Sequence, residues 1–402
     1  MTKILQILNR VPWPLKDGGA LGYYNYIKGY HDAGCEVTVA ALNTSKHFVN
    51  MNELPDAIKN IADWRTTAID NRVKPINAFL NLFSNRSYNI ERFISEEFKL
   101  LLKKLLAEKE FDVIVFESLF VAPYFDIVAA NSKALLVLRQ HNVEYKIWET
   151  LAKEERNPLK KIYLNLLTSR LKKFEIAQLN RFDAVTTVTQ HDAEDFKKMG
   201  CAKPIFSSPT GIELSRLTVD HSSLEKPSVF HIGSMEWMPN QQAILWFIKH
   251  VWEPVSEKYT SLKFYIAGRG MPESFLHLNE KNLVCVGEVA DAKQFIQSKQ
   301  IMIVPLFAGS GIRIKILEGM ALGKAIISTS LGAQGIDVVN GKHLLIANTA
   351  TEFIEAIDSL VSNPQLVSDL GNNARKLIEE QYDNEQVIKR LLAFYDEQII
   401  AT

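Results

Sequence analysis

Ile301-Met302-Ile303-Val304-Pro305-Leu306-Phe307-Ala308-Gly309-Ser310-Gly311-Ile312-Arg313-Ile314-Lys315-Ile316-Leu317-Glu318 is an apolar run, a proline, a glycine turn and the start of a helix. The apolar run reads as a buried strand, and Ile314, Leu317 and Ala321 fall on the buried face of the helix that follows. Gly309 and Gly311 permit a tight turn whose backbone amides approach a ligand closely. Those amides and the positive end of the helix suit a phosphate. Arg313 can fork onto phosphate oxygens, and Lys315 adds a mobile ammonium. Gly311, Lys315 and Glu318 lie four and then three residues apart, on one helical face. A carboxylate one turn beyond a phosphate site accepts hydrogen bonds from ribose hydroxyls. The plainer alternative is a glycine turn before a helix with a solvated Arg, Lys and Glu; the strand–glycine–helix context and the basic pair favour a ligand.

The same rhythm extends outward. Strands are expected at 229–232, 263–267, 283–286, 301–304 and 325–328, with helices at 241–255, 291–298, 312–322, 351–361, 364–380 and 384–400. Earlier in the chain, strands are expected at 4–8, 36–42, 112–116, 134–138 and 183–189, and helices at 20–34, 89–109 and 157–181. Buried strands alternating with helices give parallel sheets. The fold class is therefore α/β, with two Rossmann-like domains. A polar, Ser-rich seam at 217–227 separates residues 1–220 from 221–382, with a terminal helix at 383–402. Ligands of open α/β sheets bind beyond the carboxyl ends of strands, so both halves are expected to face one central cleft.

At 402 residues the chain exceeds one ordinary domain. Its 46 basic residues balance 46 acidic ones, which argues against a dedicated nucleic-acid binder. Cys35, Cys201 and Cys285 are far apart and read as idle thiols of a reducing compartment, not as a zinc site. The N-terminal apolar run is too short for a signal peptide, and no later run has the length of a membrane span, so a cytoplasmic location is expected. The basic helix around Lys160, Lys161, Lys172 and Lys173 reads first as a solvated face, with peripheral contact to an anionic membrane as the alternative.

Further candidates follow other expected strands. Gly18 and Gly19 open the first helix, where their amides can meet a phosphate or another ligand, although such a pair is commonly just a turn. His141 stands at a strand's carboxyl end and can bond a sugar hydroxyl or the reacting centre; alone it would read as a loop histidine. Asn142 and Glu144 are lesser candidates. Gly233 and Asn240 belong to the loop after the first strand of the second half, and Arg269 to the loop after the next.

The segment from Gly309 to Glu318 resembles the nucleotide-binding signature of the retaining glycosyltransferases of the GT-B fold, in the large family 4 group. That signature places two glutamates eight positions apart; Glu318 matches the second, and Ser310 stands at the first. The departure bears on recognition of the donor sugar more than of the nucleotide. The resemblance implies that Glu318 holds ribose hydroxyls and that Arg313 and Lys315 neutralise the leaving diphosphate. Gly309, Ser310, Gly311 and Ile312 would then cradle the donor. Many relatives carry an Arg and a Lys in the loop corresponding to 233–240; neither occurs here, so Arg313 and Lys315 inherit that role. His141 would take a donor-sugar or acceptor role, Gly18 and Gly19 resemble the family's N-terminal glycine loop, and residues 287–289 resemble the stretch whose main chain meets the nucleobase. Glu213 resembles the hinge-side loop, and the last helix would cross back to the first half.

The expected reaction is glycosyl transfer from a nucleoside diphosphate sugar to a hydroxyl acceptor; the resemblance implies retention and a glycan or lipid-linked acceptor. The sugar nucleotide is a substrate, and no resident cofactor is expected. No Asp-x-Asp occurs, so no divalent metal is expected either. A nicotinamide oxidoreductase would need G-x-G-x-x-G, and Ile314 stands where the third glycine belongs. A sugar-nucleotide epimerase of the same fold and a non-catalytic sugar-nucleotide binder remain as alternatives.

Overall fold

A computed structural model describes residues 1–15, 18–220, 222, 224–309 and 311–401. The chain divides into two compact units, Met1–Gly211 with Asn384–Thr402, and Ile212–Asp383. The first unit is built on seven parallel strands: β1 (Lys3–Leu8), β2 (Glu36–Thr44), β3 (Asp63–Ile69), β4 (Val113–Glu117), β5 (Leu135–Gln140), β6 (Ala184–Thr187) and β7 (Ile205–Ser207), in spatial order β3-β2-β1-β4-β5-β6-β7. Leu5 of β1 stands opposite Thr38 of β2 on one side and Ile114 of β4 on the other. Alternate residues of β1 feed two cores, Leu5 and Ile7 on one face, Ile4 and Leu8 on the other. Strands covered on both faces read as near-continuous apolar runs, which is why β1, β4 and β5 stand out in the sequence.

The last helix, Asn384–Ala401, belongs to this unit. Its Val387, Ile388, Leu391 and Tyr395 join one of the two cores; Tyr395 Oη meets Tyr30 Oη at 3.1 Å, and Phe394 stacks on Phe206 with ring centroids 5.1 Å apart.

The second unit carries β8 (Ser228–Ile232), β9 (Lys263–Ala267), β10 (Leu283–Gly287), β11 (Ile301–Val304), β12 (Ala325–Ser328) and β13 (Leu345–Ile346), ordered β10-β9-β8-β11-β12-β13 and all parallel. Ile301 and Ile303 face one core, Met302 and Val304 the other. In each sheet the chain winds outward from its first strand and then returns to that strand's other side. Such a reversal leaves a crevice outside the carboxyl ends of the two strands that flank it, β1 with β4 and β8 with β11.

Several elements differ from expectation. The helix expected over 89–109 is a single turn, Tyr88–Glu91, and then Glu96–Glu108. Ser95 adopts an extended conformation between them and its side chain caps Phe98 N, which starts the second helix anew. The helix expected at 312–322 starts at Ile314, with Arg313 in the N-cap position. Strands β3, β7 and β13 were not expected; each lies at the edge of its sheet. The first unit ends at Gly211, ahead of the expected seam. Ile212 already donates to the Tyr382 carbonyl at 2.7 Å and bridges Asp383, and Leu214 and Leu217 pack on the second unit's core. Among the described residues, no helix is long and apolar enough to cross a membrane.

Candidate functional site

In the second unit, three loops meet outside β8, β9 and β11. The turn after β11 needs glycine: Gly309 has φ +116° and Gly311 φ +80°. A Cβ on Gly309 would lie 2.7 Å from the Trp237 ring. Arg313 is buried, with its guanidinium 5.7 Å from the centroid of the Trp237 ring and donating to the Gly311 carbonyl. It therefore braces the turn from within, and burial lowers its pKa. Ser310 lies outside the described residues. Ile312 packs against the core beneath the turn.

The helix Ile314–Ala321 has no side-chain cap; its Ile316 amide donates to the Arg313 carbonyl at 2.8 Å, and the amides of Ile314 and Lys315 have no partner among the described residues and can meet an anion. Lys315, in that first turn, donates to Asn240 Oδ1 at 2.9 Å and to His231 Nε2 at 3.2 Å. His231, fully buried in β8, pairs Nδ1 with the Ile303 carbonyl at 3.0 Å, which assigns the proton to Nδ1 and leaves Nε2 as acceptor. Burial, and then Lys315, drives the His231 pKa well down, so the ring is neutral. Burial, and then Arg313, lowers the Lys315 ammonium to about 7. Gly233 closes on this group: a Cβ there would fall 2.9 Å from Lys315 Nζ.

Glu318 lies one turn further on. The residue is half-buried; its carboxyl has no hydrogen-bond partner among the described residues, and burial pushes it up to about 7. Arg269 pairs with Glu236 at 3.0 Å, which ties the loop after β9 to the loop after β8. Gly287 accepts from Gly268 N–H at 2.8 Å, so the loop after β10 is tied in as well. Glu213 is engaged by Arg216 at 2.9 Å. Half-neutral cation, open helix amides and unsatisfied carboxyl together form a site poised for an anion with hydroxyl groups beside it.

The first unit places a second polar cluster at the β1/β4 crevice. Glu117, fully buried at the end of β4, accepts from Gln6 Nε2 at 2.7 Å and from Arg139 Nη1 at 2.9 Å, and His141 Nε2 is 3.2 Å from the same carboxylate. Burial raises the Glu117 pKa, but Arg139 and then His141 outweigh it and hold the carboxyl at about 2. Burial and Arg139 push His141 below its ordinary value, so a neutral ring donates Nε2–H to Glu117 and keeps Nδ1 as acceptor. The Arg139 guanidinium lies 3.5 Å from the Tyr26 ring centroid. Tyr23 packs edge-on against His141 at 4.9 Å and donates to Asn9 Oδ1 at 2.8 Å. Ser118, next after Glu117, has φ +126°, a strained conformation for a residue with a side chain.

Gly18 and Gly19 begin the helix Gly18–Asp32, whose Tyr23 reaches the cluster. Asn142 and Glu144 serve the next helix instead. Glu175 accepts from the amides of Glu144 and Tyr145 at 2.9 and 3.0 Å, and burial followed by Glu175 raises Glu144 to about 8. Sequence reasoning missed Glu117, Ser118, Tyr23, Trp237 and His231. A signal existed for two of them: Glu117 ends Val-Ile-Val-Phe-Glu and His231 interrupts Ser-Val-Phe-His-Ile, each a polar group in a strand buried throughout.

Comparison with known proteins follows this division. A family model described as Glycosyltransferase Family 4 matches residues 17–216, and one described as Glycosyl transferases group 1 matches residues 226–363. A Klebsiella pneumoniae protein, described as an uncharacterized 44.6 kDa protein in the cps region, is 24% identical over 302 residues, covering 72% of this chain and 76% of its own. The capsular polysaccharide biosynthesis glycosyltransferase CapM of Staphylococcus aureus is 24% identical over 206 residues, covering 48% of this chain and 54% of its own. Among solved structures, Anabaena HepE in complex with UDP-glucose superposes with a TM-score of 0.64 at 14% identity, covering 99% of this chain and 100% of that one. The two parallel α/β units have the GT-B fold.

Proposed function

On the premise that the chain is a glycosyltransferase of GT-B type, we propose that it moves a sugar from a nucleoside diphosphate to a hydroxyl acceptor, with retention, in the assembly of a surface polysaccharide or glycolipid. The observation that carries this reading is the Lys315 ammonium, held by Asn240 and His231 above open helix amides. A group lowered to about 7 is about half charged at neutral pH, and an arriving diphosphate draws it fully to the ammonium. The charge that develops on the departing diphosphate then meets a fixed cation and helix dipole. Arg313 shapes the glycine turn and adds to the positive field. These cations stand in for a divalent metal, so chelation is expected to leave turnover unchanged.

Glu318, lacking a partner among the described residues, is the acceptor for ribose hydroxyls, and donor binding converts it to the carboxylate. His141, fixed by Glu117, offers Nδ1 to a sugar hydroxyl. A relative described as a capsular polysaccharide biosynthesis glycosyltransferase and a structural neighbour that holds UDP-glucose make UDP-sugars and glycan or lipid-linked acceptors the first to try. The test is turnover against a panel of UDP-, GDP-, ADP- and CMP-sugars with acceptors. Lys315→Ala and Glu318→Ala should each lower turnover by about tenfold or more, the loss of one charged hydrogen bond. Undiminished turnover in both variants contradicts the assignment, and conversion of donor without acceptor redirects it to an epimerase.

A further inference from the structure

Beyond the carboxyl end of β3, the first unit holds a pocket of about 420 Å³ to which the transfer reading gives no role. Its lining runs from the end of β3 through the short helix Pro75–Asn81 to the turn Tyr88–Glu91 and Arg92. These walls are bonded to one another. Tyr88 Oη accepts from the Lys74 amide at 3.0 Å and donates to the Lys74 carbonyl at 3.2 Å. Asn81 Nδ2 donates to Glu91 Oε2 at 2.8 Å, and Arg170 of the helix Pro158–Gln178 donates to the Asn81 carbonyl at 2.7 Å. A cavity held in this way keeps its shape before a ligand arrives, which lowers the cost of binding one.

The charge in the pocket is uneven. Three cations line it, Arg72, Lys74 and Arg92, against two carboxylates, Asp70 and Glu91. Asp70 is taken by Arg72 at 2.8 Å and Lys74 at 3.3 Å, and Glu91 by Asn81 and, at 3.8 Å, by Arg86. Arg92 is left with no carboxylate partner among the described residues. Its Nη1 donates to the Asn71 carbonyl at 3.2 Å, its Nε is buried without a partner, and burial lowers its pKa. A guanidinium drawn out of water in this way gains from an arriving anion. Around it, Asn77 and Ser84 offer neutral donors and acceptors and Leu80 an apolar face. One uncompensated cation among amides, hydroxyls and an apolar wall matches a polyhydroxylated ligand that carries a single acidic group.

We propose that this pocket receives an acidic sugar unit of the acceptor, with Arg92 meeting its carboxylate or phosphate and Asn77 a neighbouring hydroxyl. The pocket is tied to the polar cluster at the end of β4. Phe93, next to Arg92, packs against Phe120 at 4.9 Å, and Tyr124 Oη donates to the Phe93 carbonyl at 2.6 Å. Phe120 and Tyr124 belong to the helical turns Leu119–Tyr124 that begin two residues after Glu117. β3 and β4 lie three strand spacings apart, roughly 15 Å, in one parallel sheet. A ligand that fills the pocket and also reaches Glu117 and His141 is therefore an oligomer of sugars. Naming the ligand as part of the acceptor rests on the transfer reading; binding of an acidic sugar does not.

Ligand-observed NMR titration of the full chain tests this with methyl glucuronide, glucose 6-phosphate, neutral methyl glucoside and inorganic phosphate. Both sugar acids are expected to bind at least about tenfold more tightly than the neutral glucoside, the worth of one charged hydrogen bond, and the tighter of the two identifies the acidic group. Arg92→Met should erase that preference while melting as the wild type does. Asn77→Asp, at an exposed position, should weaken both acids by repulsion, and it decides the matter if Arg92→Met fails to fold. Equal affinity for the acids and the neutral glucoside, acid binding unchanged in the variants, or inorganic phosphate binding as tightly as either acid overturns the inference. UDP titrated into the same samples reports on the second unit. Absence of acid binding beside intact UDP binding fails the pocket alone, and the reverse fails the transfer reading alone.

Discussion

Glu318 sits one helical turn below the glycine turn with no hydrogen-bond partner for its carboxyl among the described residues, and burial moves that carboxyl from the ordinary 4.5 to about 7. The folded state therefore holds this proton more tightly than the unfolded chain does. Below about pH 4.5 both states are protonated and the shift costs nothing. Between there and about 7 the unfolded chain ionises first and stability falls; above 7 the whole cost remains. Glu318→Gln removes that cost. The unliganded variant is expected to be more stable than the wild type by roughly 1–3 kcal/mol at alkaline pH and equal to it in acid, measured by thermal melting across pH. A variant no more stable at high pH would place Glu318 in water. At this scale the sequence was partly legible. Arg313, Lys315 and Glu318 follow a glycine turn and could be read from spacing, whereas His231 and Glu117 gain their meaning only from partners such as Lys315 and Arg139 on other elements.

The helix Ile314–Ala321 keeps its place because the helix Pro364–Leu377 lies against its far end. Gly371 makes that approach possible: a Cβ there would stand 2.1 Å from the Gly323 carbonyl oxygen, a backbone atom that cannot rotate away. Arg375, one turn on, donates to the Ala321 carbonyl and, at 2.6 Å, to that of Leu217. Gly371→Ala is expected to cost about 1–3 kcal/mol in urea unfolding and to weaken donor binding by displacing the helix that carries Lys315. An unchanged midpoint would mean that the helices part without strain. Elements buried on both faces, such as β8, β11 and β12, were readable as apolar runs. β3, β7 and β13 were not: an edge strand has less to bury, and Asp-Trp-Arg-Thr-Thr-Ala-Ile of β3 carries polar groups at most positions. Ser95, which splits the helix expected over 89–109, acts through a backbone conformation that side-chain periodicity does not reveal.

For the whole molecule, the chain crosses between units twice, at Gly211–Ile212 and at Asp383–Asn384, and ends on the unit where it began. The terminal helix fills the first unit's core through Ile388, Leu391 and Tyr395. Removing residues 384–402 is expected to lower the melting temperature of the first unit and to leave the nucleoside-diphosphate response of the second unit intact, seen by calorimetry with and without ligand. Loss of both together would mean that the helix supports the second unit as well. The α/β class and the doubled rhythm of strands and helices could be read along the chain because both units bury their strands on both faces.

The central claim is that Lys315, held by His231 and Asn240, grips a diphosphate. Calorimetric titration of UDP and UDP-glucose into the wild type and Lys315→Met, at neutral pH, tests it most directly. The account predicts measurable binding to the wild type and a loss of about tenfold or more in the variant, some 1.4 kcal/mol or greater. Equal affinity for both proteins would contradict it.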